Sequence, residues 1–166
     1  MHGLARLSAT VGLALLTAGC GGSGTAQDAP LTVDGTTVRL NANPAAPSAA
    51  YFTVHGGSTA MNLVEITSPD AERVEMHEMR MENGLMRMAT LAQAPVPAKG
   101  TLVFAPGGNH AMLWGIRQPA IAAGKIHLVF HFTDGRQVEA DAPVQRPGEV
   151  PAMGAMNMSA GNHEGH

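Results

Sequence analysis

Two histidines and two methionines, His77, Met88, His110 and Met112, follow one another with ten, twenty-one and one residues between them. They offer two imidazoles and two thioethers, a set of soft or borderline donors without charge. Such a set suits Cu(I) and gives hard cations such as Mg²⁺ or Ca²⁺ no oxygen ligands. Zinc sites draw on thiolate, imidazole or carboxylate, so the thioethers count against zinc. A blue-copper centre needs a thiolate beside its histidines, and the only cysteine, Cys20, lies ahead of the foldable region. Composition points the same way: 11 Met and 8 His among 166 residues exceed what core packing normally takes.

Two local elements would position these side chains. Asn83-Gly84 predicts a two-residue type I′ hairpin pairing Met81 with Met86 and Met79 with Met88. That register sets His77 and Met88 as diagonal neighbours on one face, their backbones roughly 7–8 Å apart. His110 and Met112 sit at i and i+2, where the turn Pro106-Gly107-Gly108-Asn109 enters the strand Ala111–Trp114, and strand alternation puts both on one side. If the turn lies beside the hairpin, all four donors meet at one rim of the domain. Met76, Met79, Met81 and Met86 read as packing or rim residues, Trp114 and Phe104 as core aromatics, and Glu75 and Glu78 as solvated charges. Trp114 also lies two residues past Met112 on the same strand face, from where it could shield the site. His55, His127 and His131 read as surface or hydrogen-bonded histidines.

From Leu31 onward, short apolar and β-branched runs alternate with Gly, Pro, Asn and Asp. The expected strands are Thr37–Leu40, Ala50–His55, Asn62–Ser68, Arg73–Met81, Leu85–Leu91, Thr101–Phe104, Ala111–Trp114, Lys125–Thr133 and Arg136–Val144. Many short strands without a long 3.6-residue stripe favour an all-β sandwich or barrel. Asp134-Gly135 predicts a second hairpin, with Ile126, Leu128, Phe130 and Phe132 facing inward.

The chain divides into four expected segments. Residues 1–19, with Arg6 ahead of the apolar run Leu7–Ala18, read as an export signal too short to span a bilayer. Leu16-Thr17-Ala18-Gly19-Cys20 resembles a bacterial lipobox, which makes Cys20 a lipid anchor and residues 20–30 a flexible tether. Thr17 stands where an aliphatic residue is usual, so plain cleavage at a nearby site is the alternative. Residues 31–145 form the domain. Residues 146–166 read as a disordered tail carrying Met153, Met156, Met158, His163 and His166, either a secondary site for Cu(II) or a solubilising extension. A net charge of −3 without a basic stripe argues against nucleic acid. No nucleophile–base set, phosphate loop or carboxylate pair stands out, so no enzymatic activity is expected.

The spacing of the four donors, with Val74-Glu75-Met76-His77-Glu78-Met79, Glu82-Asn83-Gly84, Met86-Arg87-Met88 and Pro106-Gly107-Gly108-Asn109-His110, resembles the PCu(A)C family of periplasmic copper chaperones across roughly Leu31 to Val144. The resemblance implies a cupredoxin-like Greek-key β-sandwich that binds Cu(I) at these four positions. It also implies delivery towards cytochrome c oxidase copper subunits, alongside Sco-like thiol proteins. A copper-buffering protein that delivers to no acceptor, or a metal-free lipoprotein binding an envelope partner, are the alternatives.

Overall fold

The computed structural model describes residues 29–149. The expected export signal, Cys20 and most of its tether lie outside the described residues, as do Met153, Met156, Met158, His163 and His166 of the tail. The described chain runs β1 (Thr32–Arg39), β2 (Ser48–His55), β3 (Met61–Thr67), β4 (Arg73–Glu82), β5 (Leu85–Thr90), β6 (Ala94–Val96), β7 (Thr101–Phe104), β8 (His110–Trp114), α1 (Gln118–Ala123), β9 (Lys125–Phe132) and β10 (Gln137–Gln145). None of its helices is long and apolar enough to cross a membrane.

The strands follow the order β5-β4-β8-β2-β1-β10-β9-β3-β6, with β7 also paired to β2. A parallel step between β1 and β10 joins two antiparallel layers, and the layers close where β3 meets β4 and β6 meets β7. The result is the expected cupredoxin-like β-sandwich. Period-two patterning produces the core: Ala50, Phe52 and Val54 point inward from β2, and Ile126, Leu128, Phe130 and Phe132 from β9. Phe52 stacks on Phe104 at 4.3 Å between ring centroids and meets Phe130 of the opposite layer edge-on at 4.8 Å.

The Asn83-Gly84 turn has the expected form, with φ of 51° and 78°, and pairs Met81 with Met86 and Met79 with Met88. The Asp134-Gly135 turn is one residue longer than a two-residue hairpin. Gly135 N–H donates to the Phe132 carbonyl and Phe132 N–H to the Arg136 carbonyl, both at 3.0 Å, which leaves Thr133, Asp134 and left-handed Gly135 as the loop. Asp134 stabilises it by accepting from the Arg136 backbone and guanidinium. β1 begins earlier than expected because an irregularity between Asp34 and Thr37 absorbs Gly35 without ending the strand. Two elements carry too little pattern to be read in advance. β6 is three residues around Pro95, and α1 is six residues with Pro119 in its first turn and a left-handed Gly124 after its last.

Removing the ring that bridges the layers should cost most: Phe130→Ala is expected to lower unfolding free energy by about 3–5 kcal/mol in urea denaturation. A smaller effect follows at Asp141, which accepts from Lys125 Nζ at 2.6 Å and lies 3.0 Å from His127 Nδ1. Lys125 first, and His127 second, hold its carboxyl below the ordinary 3.8. A depressed folded-state value stabilises above that range and loses its contribution as pH falls through the folded value. Asp141→Asn should therefore be slightly less stable than the parent at about pH 6, and the gap should close as pH falls below 3.8. A gap independent of pH in the same urea series would contradict this.

Candidate metal centre

Strand parity decides where the donors sit. On β4, Met76 is buried in the core, so Arg73, Glu75, His77, Met79 and Met81 take the outer face. On β8, Ala111 and Leu113 point inward, so His110, Met112 and Trp114 share that outer face. Register then aligns His77 with His110, Glu75 with Met112 and Arg73 with Trp114. Across β5, His77 faces Thr90 and Met79 faces Met88. His77 is thus central, beside His110 and with Met88 and Met112 on its two diagonals. The structure brings all four residues onto one face of three adjacent strands, β5, β4 and β8, at one end of the sheet.

The glycine turn sets the approach of His110. β7 and β8 both pair with β2, and between Phe104 opposite Phe52 and Ala111 opposite Ala50 the six residues 105–110 face the single residue Tyr51. The surplus loops out as a turn in which Gly108 N–H donates to the Ala105 carbonyl at 3.0 Å. Pro106 at its second position and Gly107, with φ of 83°, at its third make it type II. The turn presents the Gly108 carbonyl to His110 Nδ1 at 3.0 Å. Nδ1–H donates to that carbonyl, so Nε2 keeps the lone pair.

His77 takes the opposite tautomer. Its Nε2 lies 3.3 Å from Glu75 Oε2, and the other Glu75 oxygen lies 3.4 Å from Arg73 Nε. Arg73 in turn covers the Trp114 ring at 4.1 Å, and that ring lies 6.3 Å from the His77 imidazole. Nε2–H donates to Glu75, leaving a lone pair on Nδ1. Nδ1 is buried and has no hydrogen-bond partner among the described residues. A desolvated acceptor of this kind costs about 1–3 kcal/mol unless a ligand takes it. The imidazoles stack 5.9 Å apart at 21°.

Exposure is graded across the face. His77 is 8% exposed and Met88 51%, and beyond Met88 the hairpin tip displays Met81, Leu85 and Met86. Among the described residues no three His, Cys, Asp or Glu side chains are close enough to hold a metal ion; the further soft donors on this face are the thioethers of its methionines.

Two expectations need correction. Phe104 is a core aromatic, but Trp114 is not: it lies outside the sandwich, on the donor face. Glu75 is not merely a solvated charge, because its carboxylate orients His77. The i−2 spacing of Glu75 on the same strand face was the available signal. His55, His127 and His131 are occupied elsewhere, by Asp34, by Asp141 and by the Thr67 hydroxyl.

The family model described as "Putative lipoprotein LpqE-like" matches residues 31–144, a range that runs from before β1 to the penultimate residue of β10 and includes His77, Met88, His110 and Met112. The chain belongs to the LpqE-like family. A relative from Leifsonia xyli subsp. xyli, "Putative lipoprotein Lxx21020", is 36% identical to this LpqE-like chain over 91 residues, which is 54% of each protein. The match thus spans about half of that relative's length. The structure of Cu(I)-DR1885 from Deinococcus radiodurans is 28% identical, covering 74% of this chain and 83% of that one, with a TM-score of 0.54. The copper-bound PCuAC domain from PmoF2 shares the fold at 18% identity, covering 72% and 98%, with a TM-score of 0.57. The resemblance to the PCu(A)C family is borne out.

Long-range proton–nitrogen NMR should find neutral His77 protonated at Nε2 and His110 at Nδ1; the reverse pattern would contradict the hydrogen bonds above. Gly107→Ala meets open space at its Cβ, so its cost is left-handed strain, about 1 kcal/mol. Mixed His110 tautomers should appear in the same spectra.

Proposed function

We propose that this protein binds one Cu(I) ion as cargo in the bacterial cell envelope, through His77, Met88, His110 and Met112, and surrenders it by ligand exchange. One observation carries the reading: the Nδ1 of His77, buried and unpartnered among the described residues, shares a sheet face with a second imidazole and two thioethers. Neutral soft donors favour Cu(I), and the orphaned lone pair gives the site a reason to take a metal. The copper-bound forms of the solved PCuAC relatives agree with this choice.

The chain's own residues divide the work. Glu75 holds the His77 ring with Nε2 satisfied, the Gly108 carbonyl does the same for His110, and Trp114 with Arg73 covers one side. Held rings lose little further freedom on binding, which favours retention. Release begins with Met88, the exposed thioether, since a partner thiolate is a stronger soft ligand and can replace it first. The acceptors we propose are the copper subunits of cytochrome c oxidase and Sco-like thiol proteins. The lipoprotein names of the family and its relative, with the Cys20 motif, support a lipid-anchored carrier. The reading assigns the protein no catalytic step.

Anaerobic Cu(I) titration against a competing chelator should give one ion per chain. Loss of an outer-sphere partner typically costs 10–100-fold in metal affinity, so Glu75→Ala should weaken binding about tenfold and His77→Ala or Met112→Ala by more than about a hundredfold. Unchanged affinity in folded His77→Ala would refute the site.

A further inference from the structure

Among the described residues the strand path ends in two edges that are not equivalent, while β7, off that path, is a four-residue strand paired with β2. β6, at one end, is three residues long and carries Pro95, which blunts it against pairing. β5, at the other end, runs six residues from Leu85 to Thr90 without proline. Its only charge, Arg87, is turned to Glu82 of its own hairpin. An open edge this long, with exposed apolar side chains and a single charge paired within its own hairpin, is normally protected or used.

Its backbone shows which groups are open. Leu91 N–H donates to the Met76 carbonyl at 2.8 Å, so Met76 and Leu91 are a hydrogen-bonded pair. Alternation then assigns the remaining β4–β5 bonds to Glu78/Ala89, Arg80/Arg87 and Glu82/Leu85. The N–H and C=O groups of Met86, Met88 and Thr90 consequently point away from β4. These same residues place their side chains on the donor face, opposite Met81, Met79 and His77. The open hydrogen-bonding row and the exposed thioether therefore belong to one set of residues.

We infer that the β5 edge is the docking strand for the copper acceptor, which adds an extended segment antiparallel to Leu85–Thr90 and brings a cysteine thiolate opposite Met88. The inference rests on the copper-carrier reading and names the chemistry of the partner: an uncharged extended segment with a thiol on its metal-facing side. A residue hydrogen-bonded opposite Met88 has its Cα about 5.5 Å away, with its side chain on the same face. Its sulfur then lies within reach of an ion held beside Met88. In the exchange the thiol gives its proton to solvent and a copper–thiolate bond forms. The copper–Met88 thioether bond breaks, and the metal stays Cu(I). Main-chain pairing supplies affinity, and sulfur at the matched position supplies selectivity. Leu85, Met81 and Met86, exposed at the tip, extend the contact with apolar surface.

The test uses the full chain, nitrogen-15 labelled and loaded with Cu(I), and a short synthetic peptide of alternating threonine and valine with one central reduced cysteine. Peptide should slow amide hydrogen exchange at Met86, Met88 and Thr90 and draw copper off the protein. Thr90→Pro removes an outward N–H that β4 does not use, and Met86→Pro removes another at the far end of the row. Both should keep Cu(I) affinity within about twofold while slowing transfer to the peptide about tenfold or more. Parent-rate transfer by both variants would overturn the docking strand and leave the copper site standing. Absence of stoichiometric Cu(I) binding in the parent would instead remove the carrier reading, and the inference with it. Protection of the row without peptide would also overturn the proposal. If that protection vanished on deleting residues 150–166, the chain's own tail would be the occupant; if it grew with protein concentration, a second copy would be.

Discussion

Register between β4 and β8 is the constraint on which the rest depends. Setting His77 opposite His110 places both imidazoles on the outer face, because Met76 and Ala111, one residue away on each strand, are committed to the core. A slip of one residue would exchange the faces and drive imidazole into the sandwich, so the packing of Met76, Ala111 and Leu113 holds the donor geometry in place. The Asn83-Gly84 turn then fixes Met88 diagonal to His77, and the bulge of residues 105–110 against Tyr51 starts β8 at His110. The core is the scaffold of the site without contributing a donor to it.

The same face combines two properties that a metal carrier must reconcile. Its imidazoles are held from behind, His77 by Glu75 and His110 by the Gly108 carbonyl, so each presents a single defined nitrogen. The Nδ1 of His77 is buried without a partner among the described residues. Met88, by contrast, stands half-exposed on an edge strand whose neighbouring methionines are exposed as well. On the proposed carrier reading, held nitrogens inside and an accessible sulfur outside order the face from retention near β8 to release at β5.

Much of this was legible in the residues. Asn-Gly between alternating strands specified the β4–β5 register residue by residue, and the inward set of β9 was readable from its alternation. What alternation gives is parity; it does not say which parity faces the core when both sides of a strand are apolar. On β8, Leu113 and Trp114 are both plausible core residues, and only pairing with β4 and β2 turned Trp114 outward. Glu75 was misread for a related reason, since a carboxylate on an exposed strand looks solvated until its neighbour on the same face is known to be a half-satisfied imidazole. β6 and α1 were missed because three and six residues carry no measurable period.

X-ray absorption at the copper edge of the Cu(I)-loaded full chain addresses the central claim most directly. Two nitrogen and two sulfur neighbours around a single ion are expected, with one sulfur lost in Met88→Ala and one nitrogen in His77→Ala. A shell of nitrogen and oxygen alone, or one unchanged by either substitution, would contradict the account.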